Sequence, residues 1–306
     1  MSTTPSWQAR CVKVAIRMRM RHRDWGDDRA LARRARRVFG APRPLQWLGT
    51  RGVRIHPIAD GRVRGEWVTV DEPDPGTIVY FHGGGYVAGA AARWRPITAG
   101  LARRARRRVL ALDYRLAPEH RFPAALDDAV HAYRWLLEHG DAPRAVALAG
   151  DSAGGGLVLA TLLRLRDEGV PLPACAVCFS PFTDLAATDE SLRQNEGRCP
   201  TFYARNMGEF ARVYLGAASR RDPYASPVFG DFAGLPPMLL QVASNELLLD
   251  DARRVHEKVR NAGGHSELTV FDELFHVWQM LDGVVPEAGA ALDQAAAFLS
   301  RAIARG

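Results

Sequence analysis

The sequence predicts an α/β protein: a mostly parallel, eight-stranded doubly wound sheet, helices on both of its faces, and helical segments capping one end. Three observations carry that expectation. From about residue 52 to the C-terminus, short apolar runs alternate with longer stretches of helical spacing, as repeated strand–helix–strand units do. Most of the later runs are apolar without interruption, as strands covered on both faces are. The helical stretches "AALDDAVHAYRWLLEHG" and "GGLVLATLLRLRDEG" each close on glycine, the residue that most easily takes the left-handed conformation ending a helix.

Along the chain, residues 1–45 keep amphipathic helical spacing until "GAPRPLQ", where Pro42 and Pro44 break it. They form an N-terminal helical cap segment, and residues 46–306 form the catalytic domain. Strands are expected in "VRIHPI", "RGEWVTV", "GTIVYFH", "RRVLALDY", "RAVALAG", "ACAVCFS", "PPMLLQVAS" and "SELTVF". Residues 185–230 interrupt the alternation, being polar and irregular with one helical stretch around 201–215. This second cap segment is expected to pack with the first over the C-terminal edge of the sheet.

Composition narrows the function classes. A chain of 306 residues can bury one large core or two modest ones. With 47% hydrophobic and 25% charged residues it is not a disordered chain. No apolar run reaches the roughly 20 residues of a membrane span, and arginines interrupt the N-terminal apolar stretch where a secretory signal would be continuous. A soluble, cytoplasmic protein without membrane insertion is expected, and a homodimer stays open. The net charge is +7, almost all of it arginine, with Lys13 and Lys258 the only lysines. The basic runs "LARRARRVFG" and "LARRARRRVL" have helical spacing and little aromatic interleaving, so they read as solvated helix faces and not as a nucleic-acid surface. Cys175 and Cys178 form a C-x-x-C inside an apolar strand with no second Cys or His pair nearby. They read as buried thiols, and no metal site is expected.

Two motifs and one histidine carry the chemistry. "LAGDSAGGG" contains Gly150-Asp151-Ser152-Ala153-Gly154 between an apolar strand and a helix. That is the setting of a nucleophile elbow, where a tight turn exposes a strained serine above the sheet. A plain glycine-rich turn, able to cradle a phosphate, would look similar. "IVYFHGGGYVAG" places His82-Gly83-Gly84-Gly85 directly after an earlier strand. Acyl transfer develops a negative oxygen, and glycines let backbone N–H donors approach it. A nucleotide-binding G-x-G-x-x-G has different spacing. Of nine histidines, His276 in "FDELFHVWQ" follows the last strand at its C-terminal end, where this topology presents functional loops. His82 lies inside the glycine motif and His120 after "LAPE", while His22, His131, His139, His256 and His265 read as surface or helix-end residues. The order Ser152, an acid, then His276 suits a hydrolase triad.

"HGGGYVAG", "DYRLAPEHRFPAALDD", "GDSAGG", "SPFTDL" and "FHVWQ" together resemble the hormone-sensitive-lipase family of α/β-hydrolases, in its bacterial esterase branch. The resemblance runs from about residue 76 to 300. It implies the α/β-hydrolase fold, a Ser–acid–His triad and an oxyanion hole from Gly84, Gly85 and Ala153. It also implies that the N-terminal helices and the insertion after the sixth strand form the cap. Glu119 and Asp184 fall in family motifs as structural supports.

The acid must come from "VASNELLLDD", which offers Glu246, Asp250 and Asp251. Many members of the family carry Asp-Pro-Leu-x-Asp here with the first Asp in the triad, and Glu246 aligns with that position. Its place supports the same choice, because "MLLQVAS" ends near Ser244 and Glu246 lies in the loop beyond. Asp250 and Asp251 precede a stretch of helical spacing and are expected to cap its free N–H groups. They remain the alternatives. The expected reaction is ester hydrolysis through an acyl-enzyme, with a small-molecule ester as partner and no metal or cofactor; the resemblance implies short-to-medium acyl esters. Tyr86 and Trp278 are expected near the substrate, with Trp7, Trp25, Phe202, Tyr203 and Phe210 as cap aromatics that could line the pocket. A specialised acyl hydrolase or deacetylase of secondary metabolism would use the same triad. A ligand receptor without catalysis is the remote alternative, disfavoured by the presence of both Ser152 and His276.

Overall fold

All eight apolar runs form strands in the computed structural model, which describes residues 4–21 and 25–305; His22 lies outside the described residues. The strands are β1 (Arg54–Asp60), β2 (Val63–Thr69), β3 (Thr77–Phe81), β4 (Arg108–Leu112), β5 (Val146–Asp151), β6 (Cys175–Phe179), β7 (Met238–Ala243) and β8 (Ser266–Phe271). They join one sheet in the order β1-β2-β4-β3-β5-β6-β7-β8. β2 runs antiparallel to both β1 and β4, and every other pairing is parallel. Every residue of β3, β5, β6 and β7 is buried, which explains their unbroken apolar runs. β1, at one edge, is half exposed and joined to β2 by a hairpin whose first turn residue, Gly61, has φ 55°. Cys175 and Cys178 lie three apart within β6, so their buried thiols face opposite sides of the sheet.

The described helices are α1 (Trp7–Met20), α2 (Asp28–Val38), α3 (Arg43–Gly49), α4 (Arg95–Ala105), α5 (Ala124–Glu138), α6 (Ala153–Asp167), α7 (Ser191–Gln194), α8 (Ala204–Leu215), α9 (Leu249–Asn261) and α10 (Pro286–Arg305). α4 and α10 pack together on the sheet, as do α5 and α6, while α9 packs on β7 and β8. None of the described helices is long and apolar enough to cross a membrane.

The two segments outside the alternation meet through aromatic rings. Phe39, at the end of α2, packs within 5.8 Å of both Phe202 and Phe210, and Trp25 packs 5.6 Å from Phe210. Ion pairs fix α2 to the body: Arg36 to Glu119, and Asp28 to Arg121 and Arg212. Arg36 also donates to the carbonyls of Val87 and Ala117.

Three expectations need correction. The break at Pro42 and Pro44 is present, since α2 ends at Val38, but helix resumes at once: Pro42 is the N-cap of α3 and Pro44 lies in its first turn. A fixed φ suits the start of a helix and the missing N–H is no loss there, so the boundary at residue 45 falls inside α3. Asp250 and Asp251 are not caps either. Helix α9 begins at Leu249 with Leu248 as its N-cap, so both aspartates stand in the first turn. Asp251 Oδ1 accepts from Thr183 N and Oγ1 and from Asp184 N, while Asp250 Oδ2 accepts from Ser191 N. They hold the chain that follows β6. Finally, the basic run around α4 is only partly solvated, because Arg103 and Arg104 pair with Asp282, Arg108 pairs with Asp141, and Arg107 is buried.

Candidate active site

Loops at the C-terminal ends of β5, β7 and β8 bring Ser152, Glu246 and His276 together. β5 runs directly into Ser152, which sits at φ 52°, ψ −121° and starts α6. A side chain is strained in that backbone conformation. The flanking glycines are required by crowding: a Cβ on Gly150 would stand 2.5 Å from Gly154 O, and one on Gly154 would stand 1.9 Å from Phe81 O. The Ser152 N–H donates to Phe179 O at 2.8 Å and ties the turn to β6.

His276 Nε2 lies 2.9 Å from Ser152 Oγ, and His276 Nδ1 lies 2.6 Å from Glu246 Oε2. A carboxylate at Nδ1 selects the tautomer protonated there, which leaves Nε2 free to accept the serine proton. Glu246 Oε1 accepts from Ser180 Oγ at 2.7 Å and from Ala243 N at 2.8 Å. The His276 and Glu246 side chains are 9% and 1% exposed, so water screens their attraction little. This constellation can activate a hydroxyl as a nucleophile.

The glycine motif lies beside it. Gly83 N donates to Asp151 Oδ1 at 2.9 Å, and Tyr80 OH donates to the same oxygen at 2.7 Å. His82 stacks on Tyr114, which donates its hydroxyl to His82 O at 2.6 Å. Burial holds the His82 imidazole below its ordinary value, which suits a brace and not a proton carrier. Gly84 and Gly85, at φ 119° and 62°, border the same cavity as Ser152. Among the described residues no backbone carbonyl accepts from their N–H groups, and Ala153 N stands in the open first turn of α6. Donors of this kind can hold a developing oxyanion.

The cavity measures about 470 Å³ and reaches Ser152 and His276 between walls that include Val12, Ile16, Val38, Phe202, Met207 and Phe210. Phe202 stands edge-on to His276 at 5.6 Å. Tyr86 and Trp278, expected near the substrate, do not line it. Tyr86 is buried, stacked on Tyr214 at 3.8 Å, and Trp278 is buried against Phe271 with its Nε1 donating to Glu287 O. Both are close to the motifs in sequence but face the core. Of the other aromatics, Phe202 and Phe210 line the cavity, Trp25 is core, Tyr203 lies under the Arg21 guanidinium, and Trp7 is exposed.

Residues 78–280 match a family model described as the alpha/beta hydrolase fold. An acetyl-hydrolase of Streptomyces hygroscopicus is 44% identical over 246 residues, covering 80% of this chain and 82% of that one. An esterase of Acinetobacter venetianus is 36% identical over 247 residues, with the same coverage. A solved esterase from the bacterial hormone-sensitive lipase family superposes with a TM-score of 0.89 at 38% identity, over 98% of this chain and 99% of that one. The chain belongs to the hormone-sensitive-lipase family of α/β-hydrolases.

In this α/β-hydrolase two residues beyond the expected set shape the site. Ser180 belongs to "SPFTDL", quoted as a motif but given no role by sequence; its hydroxyl is a donor to Glu246. Ser180→Ala removes one charge-assisted bond from a buried carboxylate, worth about 1.5–3 kcal/mol. It is expected to lower kcat on a p-nitrophenyl ester about tenfold with KM nearly unchanged.

Asp151, next to Ser152, is the second. Burial raises its carboxyl to about 6, against the opposing pull of Tyr80 and Gly83. Between the unfolded value near 3.8 and about 6 the folded protein binds the extra proton, so stability from this group is highest at low pH and falls as pH rises through that window. The cost is complete above about pH 6 and amounts to about 3 kcal/mol. Urea unfolding across this range should show wild type losing stability relative to Asp151→Asn. Parallel curves would contradict the assignment.

Proposed function

We propose that this chain is a serine carboxylesterase that cleaves short-to-medium acyl esters through a covalent acyl-enzyme. Its enzyme class is carboxylic ester hydrolase. The observation that carries the mechanism is the hydrogen-bonded series Ser152–His276–Glu246 opening into an apolar cavity. His276 Nε2 takes the Ser152 proton as Oγ bonds to the ester carbonyl carbon. The negative oxygen is held by the N–H groups of Gly84, Gly85 and Ala153. The carbon–oxygen bond to the leaving alcohol then breaks, and His276 returns the proton to that alcohol. Water, deprotonated by His276, attacks the acyl carbon; the bond to Oγ breaks, His276 returns the proton to Ser152, and the acid leaves. Glu246 holds the imidazole and stabilises its cation. Residues 1–45 and 185–230 act as a cap that keeps the cavity apolar.

A panel of p-nitrophenyl esters of increasing acyl length tests this reading. Turnover is expected to peak on short-to-medium chains, with a fluorophosphonate labelling Ser152. No turnover of any ester together with no label on Ser152 would overturn it. A deacetylase is the second reading, favoured by the relative named acetyl-hydrolase; activity confined to acetyl groups would select it.

A further inference from the structure

Helix α1 is apolar on two opposite faces. Ala9 is buried, and Val12, Ile16 and Met20 line the cavity. On the other side Trp7, Val14 and Met18 are 66%, 60% and 79% exposed, with exposed Cys11 between them. Steps of four, three and four residues put these side chains on one stripe. The inner face is accounted for by the cavity wall; the outer face has no partner within the described chain. Trp47 of α3 is exposed as well, at 66%, beneath the Arg51 guanidinium. Of the five large hydrophobic side chains exposed among the described residues, four lie on α1 and α3. Both helices border the cavity, α3 through Leu45. Apolar surface concentrated this way marks an interaction face.

Charge selects the occupant. α1 carries Arg10, Lys13, Arg17 and Arg19 and no acidic residue. At 100° per residue Arg10 and Arg17 fall on one flank of the stripe, Arg17 also donating to Gly197 O, while Arg19 turns toward the cavity it borders. Among the described residues only Lys13 of the four pairs with a carboxylate, that of Glu273 at 3.9 Å. A second copy of α1 laid on this stripe would set like charges against each other, whereas phosphate headgroups would neutralise them. An apolar stripe with a tryptophan near its end and a basic flank suits the headgroup boundary of a bilayer. At 14 residues the helix is too short to span one. We propose that α1 docks this protein on an anionic phospholipid surface, lying flat in it and setting the cavity wall it forms close to the lipid.

Flotation of the full chain with phosphatidylcholine vesicles, with and without phosphatidylglycerol, tests the docking. Binding is expected to be at least about tenfold tighter on the anionic vesicles and to weaken with salt. The double variants Trp7→Ser/Met18→Glu and Arg10→Glu/Arg17→Glu should each reduce it about tenfold, while hydrolysis of soluble p-nitrophenyl butyrate stays within about twofold of wild type. Equal binding to both vesicles, or unchanged binding by both variants, would overturn the proposal. So would a dimer in sedimentation that Met18→Glu abolishes, which would give the stripe to a second copy. Vesicle binding is read without turnover, so failure of the esterase reading leaves this test intact.

Discussion

Ser152→Ala, His276→Ala and the double variant are each expected to lower kcat on a p-nitrophenyl ester by about the same factor, on the order of 10⁶. The equality is the informative part. With 2.9 Å between Nε2 and Oγ, the proposed mechanism has the two side chains share one proton transfer, so removing either should remove it all. Additive losses would mean that they act separately. What should survive in every variant is the residual rate from the proposed N–H donors of Gly84, Gly85 and Ala153 and from the apolar cavity, about 10³–10⁴ over water. Backbone strain offers a companion measurement. Ser152 holds φ 52°, which alanine must also adopt but glycine takes easily. Ser152→Gly should therefore be as inactive as Ser152→Ala yet about 1 kcal/mol more stable than it to urea. Equal stability of the two would show that the elbow is not strained.

Strands β3, β5, β6 and β7 were legible because a strand buried on both faces must be apolar along its whole length, whereas the partly exposed β1, β2 and β8 were legible only as short runs bounded by Gly, Pro and charge. The antiparallel placement of β2 beside β4 was not, since pairing partners leave no mark on a run's composition. Glycine motifs were legible for a steric reason: at Gly150 and Gly154 no other residue fits. The misreadings share a cause, which is that the deciding partner is remote in sequence. Asp251 is held by Thr183 and Asp184, 68 and 67 residues away, so a local argument could see only a helix start. Tyr86 and Trp278 adjoin motifs yet turn into the core, where Tyr214 and Phe271 receive their rings. Ser180 stood in plain view within "SPFTDL", but its role exists only once β6 and β7 lie side by side and bring it to Glu246. The cavity walls fall in the same class: spacing showed that α1 has an apolar face, and only packing shows that it has two.

Glu246→Gln is expected to cost about 10⁴ in kcat with little change in KM. The carboxylate accepts three hydrogen bonds: from Ser180 Oγ and Ala243 N at Oε1, and from His276 Nδ1 at Oε2. Glutamine has one acceptor oxygen. If that oxygen keeps Ser180 and Ala243, the amide NH₂ faces His276 and forces Nδ1 to accept. The imidazole proton then sits on Nε2, directed at Ser152, and the base is blocked without being displaced. The loss should persist at high pH, because the wrong tautomer is not a titration. Glu246→Asp keeps the charge but ends about 1.5 Å short, so it should lose less than Gln does. Asp250→Asn and Asp251→Asn leave the His276 contact intact and should act on stability, Asp251 the more strongly because its buried oxygen serves two backbone N–H groups and a hydroxyl. If either aspartate variant loses kcat by orders of magnitude while Glu246→Gln does not, the triad acid is not Glu246.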